Sequence, residues 1–203
     1  MLITDIAELD KKRSKVYVDG VFLFVLYKGE LGEYGIKVGK ELGEDAYSEI
    51  TEKVLPKRCK LRAMNLLQKR DYTEKQLRDK LAEGLYAQEI IDEAIAYVKS
   101  YHYLDDERFA RDYITYHIPT RSKNRIIQDL VGKGISKEMI MPLLEELYSE
   151  EEGKVELEQI NRLLDKKHFD PENADFKEKQ KVMAFLMRRG YQMSDITKAM
   201  DRR

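Results

Sequence analysis

Apolar residues recur every three or four positions through residues 103–147, the spacing that places side chains on one face of an α-helix. We predict three short helices in this segment. The pair Asp105 and Asp106 suits the N-cap and first turn of the first helix. Ser122 and Ser136 are placed to cap the second and third. The apolar faces comprise Phe109, Ala110, Tyr113 and His117 in the first helix, Ile126, Ile127, Leu130 and Val131 in the second, and Met139, Ile140, Leu143, Leu144 and Leu147 in the third.

The same pattern occurs three times along the chain. Seven apolar positions of the last two helices fall on apolar residues again after a shift of 49 residues towards the N-terminus. A shift of 56 residues towards the C-terminus places seven apolar positions and one glycine on equivalent residues. Two positions break the repeat. Met139 falls on Asp195, and Gly134, a candidate left-handed helix terminator, falls on Leu85. We therefore predict three tandem three-helix repeats rather than one irregular helical domain.

The N-terminal residues carry a strand pattern instead. Asp19 and Gly20 separate two short runs rich in β-branched and aromatic residues, which is a strong hairpin signal. Residues 2–9 can supply a third strand. An isolated two-stranded ribbon is only marginally stable, so this region must pack against further structure. Five glycines follow in residues 29–43, but their spacing differs from that of a phosphate-binding loop, and glutamates among them would repel phosphate. We interpret this segment as turns around a short helical piece.

Proline and capping residues mark further helix starts. Pro56 is expected to begin a new helix, because proline is favoured in the first helical turn. Thr73 and Gln76 have the spacing of a capping box. Near the C-terminus, the pattern predicts a helix over about residues 177–189 and a short one from Ser194.

Together these patterns predict a mainly α-helical fold. A β-rich extension, a hairpin with a third strand, occupies residues 1–45 and precedes helical repeats over residues 46–102, 103–149 and 150–203. Because each small repeat buries its apolar face against its neighbours, we expect the three repeats to form an elongated, curved array.

Composition restricts the class of protein. Hydrophobic residues make up 42% of the chain, whereas 37% of residues are charged, which implies packed cores with extensive solvated helix surface. The longest apolar run has the length of a strand, so we expect no membrane association. The single cysteine, Cys59, cannot form an internal disulfide, and no signal peptide is evident. We therefore expect a cytoplasmic protein with an incidental or buried thiol.

No catalytic constellation is evident. His102, His117 and His168 lack metal-ligand spacing, and Asp105 and Asp106 are better explained as capping residues than as an acid/base pair. The sequence VGKGIS superficially resembles a phosphate loop, but it follows an amphipathic helix rather than a buried strand. We expect no enzymatic activity, no cofactor and no metal.

Charge is unevenly distributed although the formal net charge is only −1. Basic residues cluster at Lys57, Arg58, Lys60 and Arg62, at Arg121, Lys123 and Arg125, at Lys177, Lys179 and Lys181, and at Arg188, Arg189, Arg202 and Arg203. Such clusters either steer a polyanion onto one face or are the solvated sides of helices. Tyrosines near them either stack nucleic-acid bases or pack between helices: Tyr72, Tyr97, Tyr101, Tyr103, Tyr113 and Tyr116.

Several segments resemble a known family. YLDDERFARDYI, followed by a basic stretch and RIIQDLVGKGIS, resembles the central signature of the RecX family of regulators of the bacterial recombinase RecA. AMNLLQKRDYTEKQLRDKL resembles the first repeat of that family, and VDGVFLFVLYKGEL resembles an N-terminal extension found in many Gram-positive members. The similarity covers nearly the whole chain and is strongest over residues 57–147.

The resemblance implies a non-enzymatic inhibitor of RecA. Such a protein would bind in the groove of the RecA–DNA filament, suppress ATPase, strand-exchange and co-protease activities, and bind single- or double-stranded DNA weakly. We expect a monomer whose basic residues near helix ends face the filament: Arg58, Arg62, Arg121, Lys123, Arg125, Arg188 and Arg189. The alternatives are a helical module that acts directly on DNA and a helical-repeat protein scaffold.

Overall fold

The computed structural model describes residues 1–148 and 152–201, and the predicted boundary between the second and third repeats lies outside them. The fold is mainly α-helical, with three-helix units after a small N-terminal sheet, as the sequence predicted. None of the helices in these ranges is both long enough and apolar enough to span a membrane.

The N-terminal sheet contains three antiparallel strands in the order β1 (Ile3–Glu8), β2 (Arg13–Val18) and β3 (Val21–Tyr27). Asp19 and Gly20 form the two-residue turn between β2 and β3, with φ of 49° and 83°. Both residues therefore adopt the left-handed conformation that a tight hairpin of this type requires. The predicted hairpin and third strand are confirmed.

A long helical segment follows the sheet. After α1 (Lys28–Glu33), the chain forms α2 (Glu44–Ser48), a π-helical turn (Glu49–Val54) and α3 (Leu55–Leu67) without interruption. As predicted, Pro56 lies in the first turn of a new α-helix, although α3 continues directly from the π-helical turn. The N–H of Leu55 donates to the carbonyl of Ile50, five residues earlier, and the ladder changes register where proline has no N–H to contribute.

Helices α4 (Glu74–Ala82) and α5 (Gln88–Ser100) complete the first three-helix unit. The predicted capping box is confirmed, because the Thr73 side chain accepts from the Gln76 N–H and the Gln76 side chain accepts from the Thr73 N–H. The sheet and helices α3 to α5 share one hydrophobic core, in which Ile3, Leu26 and Leu77 are fully buried.

Two further three-helix units follow. The first contains α6 (Asp106–His117), α7 (Lys123–Gly132) and α8 (Lys137–Leu147), and the second contains α9 (Glu152–Lys166), α10 (Phe176–Arg188) and α11 (Met193–Asp201). The predicted N-caps Ser122 and Ser136 are confirmed, since each side chain accepts a backbone N–H of the helix that it begins. Gly134 has a φ of 94°, as expected for a residue that ends a helix in the left-handed conformation.

The chain divides into two compact units, Met1–Asp105 and Asp106–Arg203. The second unit has two separate hydrophobic clusters, one formed by α6 to α8 and the other by α9 to α11. The finer division into an extension and three repeats as separate domains stays a prediction.

A candidate anion-binding interface

The seven candidate basic residues fall at three places in the fold. Arg58 and Arg62 belong to α3, in the first unit. Arg121, Lys123 and Arg125 surround the N-terminus of α7, and Arg188 and Arg189 lie at the C-terminus of α10, both in the second unit.

Arg58 is engaged by its own unit. Its guanidinium forms an ion pair with Glu30, donates to the carbonyl of Val25 at 3.2 Å and lies 4.7 Å from the ring centroid of Tyr27. Only 17% of the side chain is exposed. Arg58 therefore stabilises the contact between α3 and the end of β3. Arg62, on the same helix, is exposed.

Arg121 and Arg125 share one carboxylate, Asp129 of α7. Arg121 forms an ion pair with Asp129 and donates to the Tyr113 hydroxyl at 2.7 Å. The Nε of Arg125 lies 3.1 Å from the other carboxylate oxygen of Asp129. Burial, with a further contribution from Asp129, raises the pKa of Tyr113. Burial and the cationic Arg121 lower the pKa of His117, so this histidine favours its neutral form.

Polar contacts join the C-terminus of α10 to the N-terminus of α7. The Ser122 hydroxyl donates to the carbonyl of Arg189 at 2.7 Å, and the Asn124 amide donates to the carbonyl of Gly190 at 3.0 Å. Gly190 has a φ of 88°, and a Cβ atom there would lie 2.6 Å from the Ser122 hydroxyl oxygen. The close approach of the two segments therefore requires glycine at this position.

Helix α9 contributes buried polar side chains to the same junction. Glu156 accepts the backbone N–H of Lys123 at 2.6 Å, in the first turn of α7. Gln159 donates to the carbonyl of Ile118 and accepts from the Tyr191 hydroxyl at 2.8 Å. Burial, assisted by Glu156, raises the pKa of Tyr191 to about 12. Two hydrophobic clusters are thus connected through hydrogen bonds at this junction.

The junction creates an open cavity of about 520 Å³ rich in arginine. We call it the arginine cavity, and its lining residues are Thr120, Arg121, Ser122, Arg125, Arg188, Arg189 and Tyr191. Four of the seven candidate residues meet here, although two of them lie more than 60 positions from the other two. Lys123 is not among the lining residues, and its ammonium group lies 5.5 Å from the Tyr148 ring centroid.

The cavity has an excess of positive charge. Asp129 balances part of the charge of Arg121 and Arg125, whereas Arg189 lies over the Phe185 ring at 4.5 Å. Arg188 is exposed and forms no ion pair with any residue that the structure describes. Because guanidinium groups bind phosphate and carboxylate in bidentate geometry, the cavity suits either kind of anion.

Several residues that shape the cavity carry no recognisable signal in the sequence, namely Glu156, Gln159 and Tyr191. Gly190 does carry one, because it matches Gly134 in the repeat. Of the tyrosines considered for base stacking, none lines the cavity, and Tyr101 and Tyr103 stack on each other with their ring centroids 5.8 Å apart.

No cluster of side chains suited to a metal ion is found within residues 1–148 and 152–201.

Comparisons with known proteins identify the relatives of this chain. Residues 59–98 match a family model described as the first three-helix domain of RecX, and residues 154–200 match one described as the third. The chain is 32% identical over 203 residues to the regulatory protein RecX of Caldanaerobacter subterraneus, with 99% of each chain covered. It is 30% identical over 190 residues to regulatory protein RecX of Clostridium perfringens, covering 92% of this chain and 88% of the relative.

Solved structures show the same fold. A crystal structure of regulatory protein RecX aligns with 98% of both chains at a TM-score of 0.64 and 23% identity. A crystal structure of RecX from Lactobacillus salivarius aligns with 73% of this chain and 96% of its own, at a TM-score of 0.63 and 20% identity. Because the chain is 32% identical to a RecX protein over 99% of both sequences, it belongs to the RecX family of regulatory proteins.

Proposed function

We propose that this protein is a non-enzymatic regulator that inhibits the RecA recombinase. As a cytoplasmic monomer, it would bind in the groove of the RecA–DNA filament and suppress ATPase, strand-exchange and co-protease activities. Membership of the RecX family supports a regulatory role. The observation that carries the proposal is the arginine cavity, because a filament of protein and DNA presents both phosphates and carboxylates to a bound regulator.

The first experiment measures RecA ATPase on single-stranded DNA while this protein is titrated. We expect ATP turnover to fall to a low plateau as the protein saturates the filament. Full turnover at saturating protein would contradict an inhibitory role.

The second experiment tests the cavity with the double variant Arg188→Glu/Arg189→Glu. These two side chains are suitable because neither forms an ion pair with a residue that the structure describes. Arg121 and Arg125 are less suitable, since glutamate at either position would face Asp129 and destabilise α7. We expect affinity for the filament to fall about tenfold or more, with a shallower dependence on salt.

The matched control is the double variant Lys177→Glu/Lys181→Glu. It makes the same charge change on exposed residues of the same helix, and neither residue lines the cavity. We expect a small loss of affinity from the change in net charge alone. Equal losses in the two variants would assign the effect to long-range electrostatics rather than to the cavity.

A second candidate function is direct binding to nucleic acid. The exposed Arg188 in a largely polar cavity favours it, because unpaired guanidinium groups bind DNA phosphates without a protein partner. Tight, sequence-dependent binding to naked duplex DNA would support this function over regulation of the filament. Salt-insensitive binding to a protein partner without nucleic acid would instead support the repeat-scaffold alternative.

Within the proposed interface, the remaining candidates differ in role. Arg62 is exposed and Lys123 is partly exposed, so both stay candidate contacts. Arg58 is largely buried against Glu30 and Tyr27, so we assign it first to the stability of the first unit.

A further inference from the structure

An open apolar groove lies beside the arginine cavity in the second unit. Its volume is about 740 Å³, and α7, α8 and the C-terminal end of α10 supply its walls. Tyr191 lines both depressions. Residues adjacent in the sequence line different depressions: Asn124 and Met187 line the groove, whereas Arg125 and Arg188 line the cavity. The apolar and cationic surfaces are therefore continuous.

The groove exposes apolar side chains that the fold does not use. Val131 is 41% exposed, Met141 is 39% exposed and Met187 is 50% exposed. Apolar side chains that line a concave surface are typical of a binding site, and methionine adapts its shape to different partners. The groove thus has the properties of a surface for apolar side chains of a partner.

The charges around the groove indicate the chemistry of that partner. None of the residues that line it is acidic, and Lys137 adds a cation to its wall. Arg188 and Arg189, which follow the groove residue Met187 in the sequence, line the adjoining arginine cavity. A complementary partner therefore combines apolar side chains with neighbouring carboxylates.

Nucleic acid fits the groove poorly. Bases bind proteins by stacking on flat aromatic faces, but the walls consist mainly of aliphatic and thioether groups, and Tyr191 is only 5% exposed. Phosphates would gain little from Val131, Met141 and Met187. A protein segment is the better occupant.

We propose that this groove binds an acidic protein segment, which packs apolar side chains against Val131, Met141 and Met187 and places its carboxylates against Arg188 and Arg189. The inference rests on the proposed function, because the segment would belong to the protein component of the filament rather than to its DNA. It adds that this face of the second unit recognises protein directly.

The test uses the double variant Met141→Gln/Met187→Gln. Glutamine has a similar length and no charge, so the variant makes the groove polar without changing the electrostatic attraction to DNA. The control, Met139→Gln/Met193→Gln, changes two methionines that are 36% and 44% exposed and do not line the groove. Binding is measured to RecA filaments on single-stranded DNA and to the same DNA without RecA.

We expect the groove variant to bind filaments about tenfold more weakly than the unmodified protein. The control variant should bind filaments normally, and both variants should bind naked DNA normally. Unchanged filament binding by the groove variant, equal losses in both variants, or an equal loss on naked DNA would each overturn the inference.

A second measurement separates this inference from the proposed function. If the unmodified protein neither binds nor inhibits RecA filaments, the proposed function fails. The groove is then tested by NMR of methionine methyl groups, with a helical peptide of leucines flanked by glutamates and an oligothymidylate of equal charge as probes. We expect the Met141 and Met187 signals to shift with the peptide only and the Met193 signal to stay in place. A shift with the oligothymidylate, or none with the peptide, would overturn the inference.

Discussion

Gly190 determines how closely α10 approaches α7. Its φ of 88° is unfavourable for a residue with a Cβ atom, and its α-carbon faces the Ser122 hydroxyl and the backbone of Arg125. Arg188 and Arg189 precede it directly, so its conformation sets where their side chains enter the arginine cavity.

We expect Gly190→Ala to destabilise the second unit by about 1–3 kcal/mol, because backbone strain adds to a clash with Ser122. The control Gly39→Ala has a similar φ of 80° but no atom within 4 Å of the added Cβ, so it measures backbone strain alone. Urea unfolding compares the two. Equal losses of unfolding free energy in the two variants would show that the contact with Ser122 adds nothing to the effect of backbone strain.

Tyr191 makes stability depend on alkaline pH. Its pKa is raised to about 12 by burial and by Glu156, so the folded state favours the neutral phenol. Its contribution is therefore complete below the pKa of about 10 of an unfolded tyrosine and is lost as pH rises from about 10 to about 12. Unfolding free energies of the protein and of Tyr191→Phe across this range should show a shallower decline in the variant. If the unfolding free energies of the two proteins fell equally with pH, Tyr191 would not be the group responsible.

At the scale of elements, each three-helix unit uses one left-handed residue between its last two helices. Gly134 occupies this position between α7 and α8, with a φ of 94°, and Gly190 occupies it between α10 and α11, with a φ of 88°. Leu85 occupies it between α4 and α5, with a φ of 59°. The apparent break in the repeat at Leu85 is therefore a change of residue and not of conformation, because the connection between the helices requires this backbone geometry.

This geometry predicts that Leu85→Gly is more stable than Leu85→Ala by about 1 kcal/mol, since both lose the same contacts but only alanine retains the strain. The reverse order holds at an ordinary helical position. Ala96→Gly, at an exposed position in the middle of α5, should therefore cost about 0.5–1 kcal/mol. Thermal unfolding measures all three variants. Equal stability of the two Leu85 variants would show that the left-handed backbone is not strained.

Individual elements followed from local signals in the sequence. The hairpin turn at Asp19 and Gly20, the serine caps of α7 and α8 and the capping box of α4 each depend on residues within a few positions of one another. The continuation of the helix through Pro56 did not follow, because a π-helical turn leaves no marker in the spacing of apolar residues.

At the scale of the whole molecule, the hydrophobic cores are separate. One cluster unites the sheet with α3 to α5, and two others lie in the second unit. Cys59 is fully buried in the first cluster, and burial raises its pKa to about 12. A protonated, inaccessible thiol reacts only when its unit opens, so Cys59 reports on the first unit alone.

We expect Gln159→Leu to destabilise the second unit by about 1–3 kcal/mol, because it leaves the Ile118 carbonyl and the Tyr191 hydroxyl without their partner. The rate at which a thiol reagent labels Cys59 should not change. Leu81→Ala, which opens a void in the first cluster, is the positive control and should accelerate labelling. Faster labelling in Gln159→Leu would show that the two units unfold together.

Helix periodicity, caps and tight turns depend on neighbouring residues, so the mainly helical fold, the repeated three-helix pattern, the hairpin and the family resemblance can all be read from the chain. The sequence also marked the basic residues near helix ends. Packing between distant segments brings Arg188 and Arg189 to Arg121 and Arg125, pairs Glu30 with Arg58, and places an apolar groove beside the arginine cavity. All of these contacts join residues far apart in the chain. The cavity also depends on how buried polar groups on three helices satisfy one another at the junction.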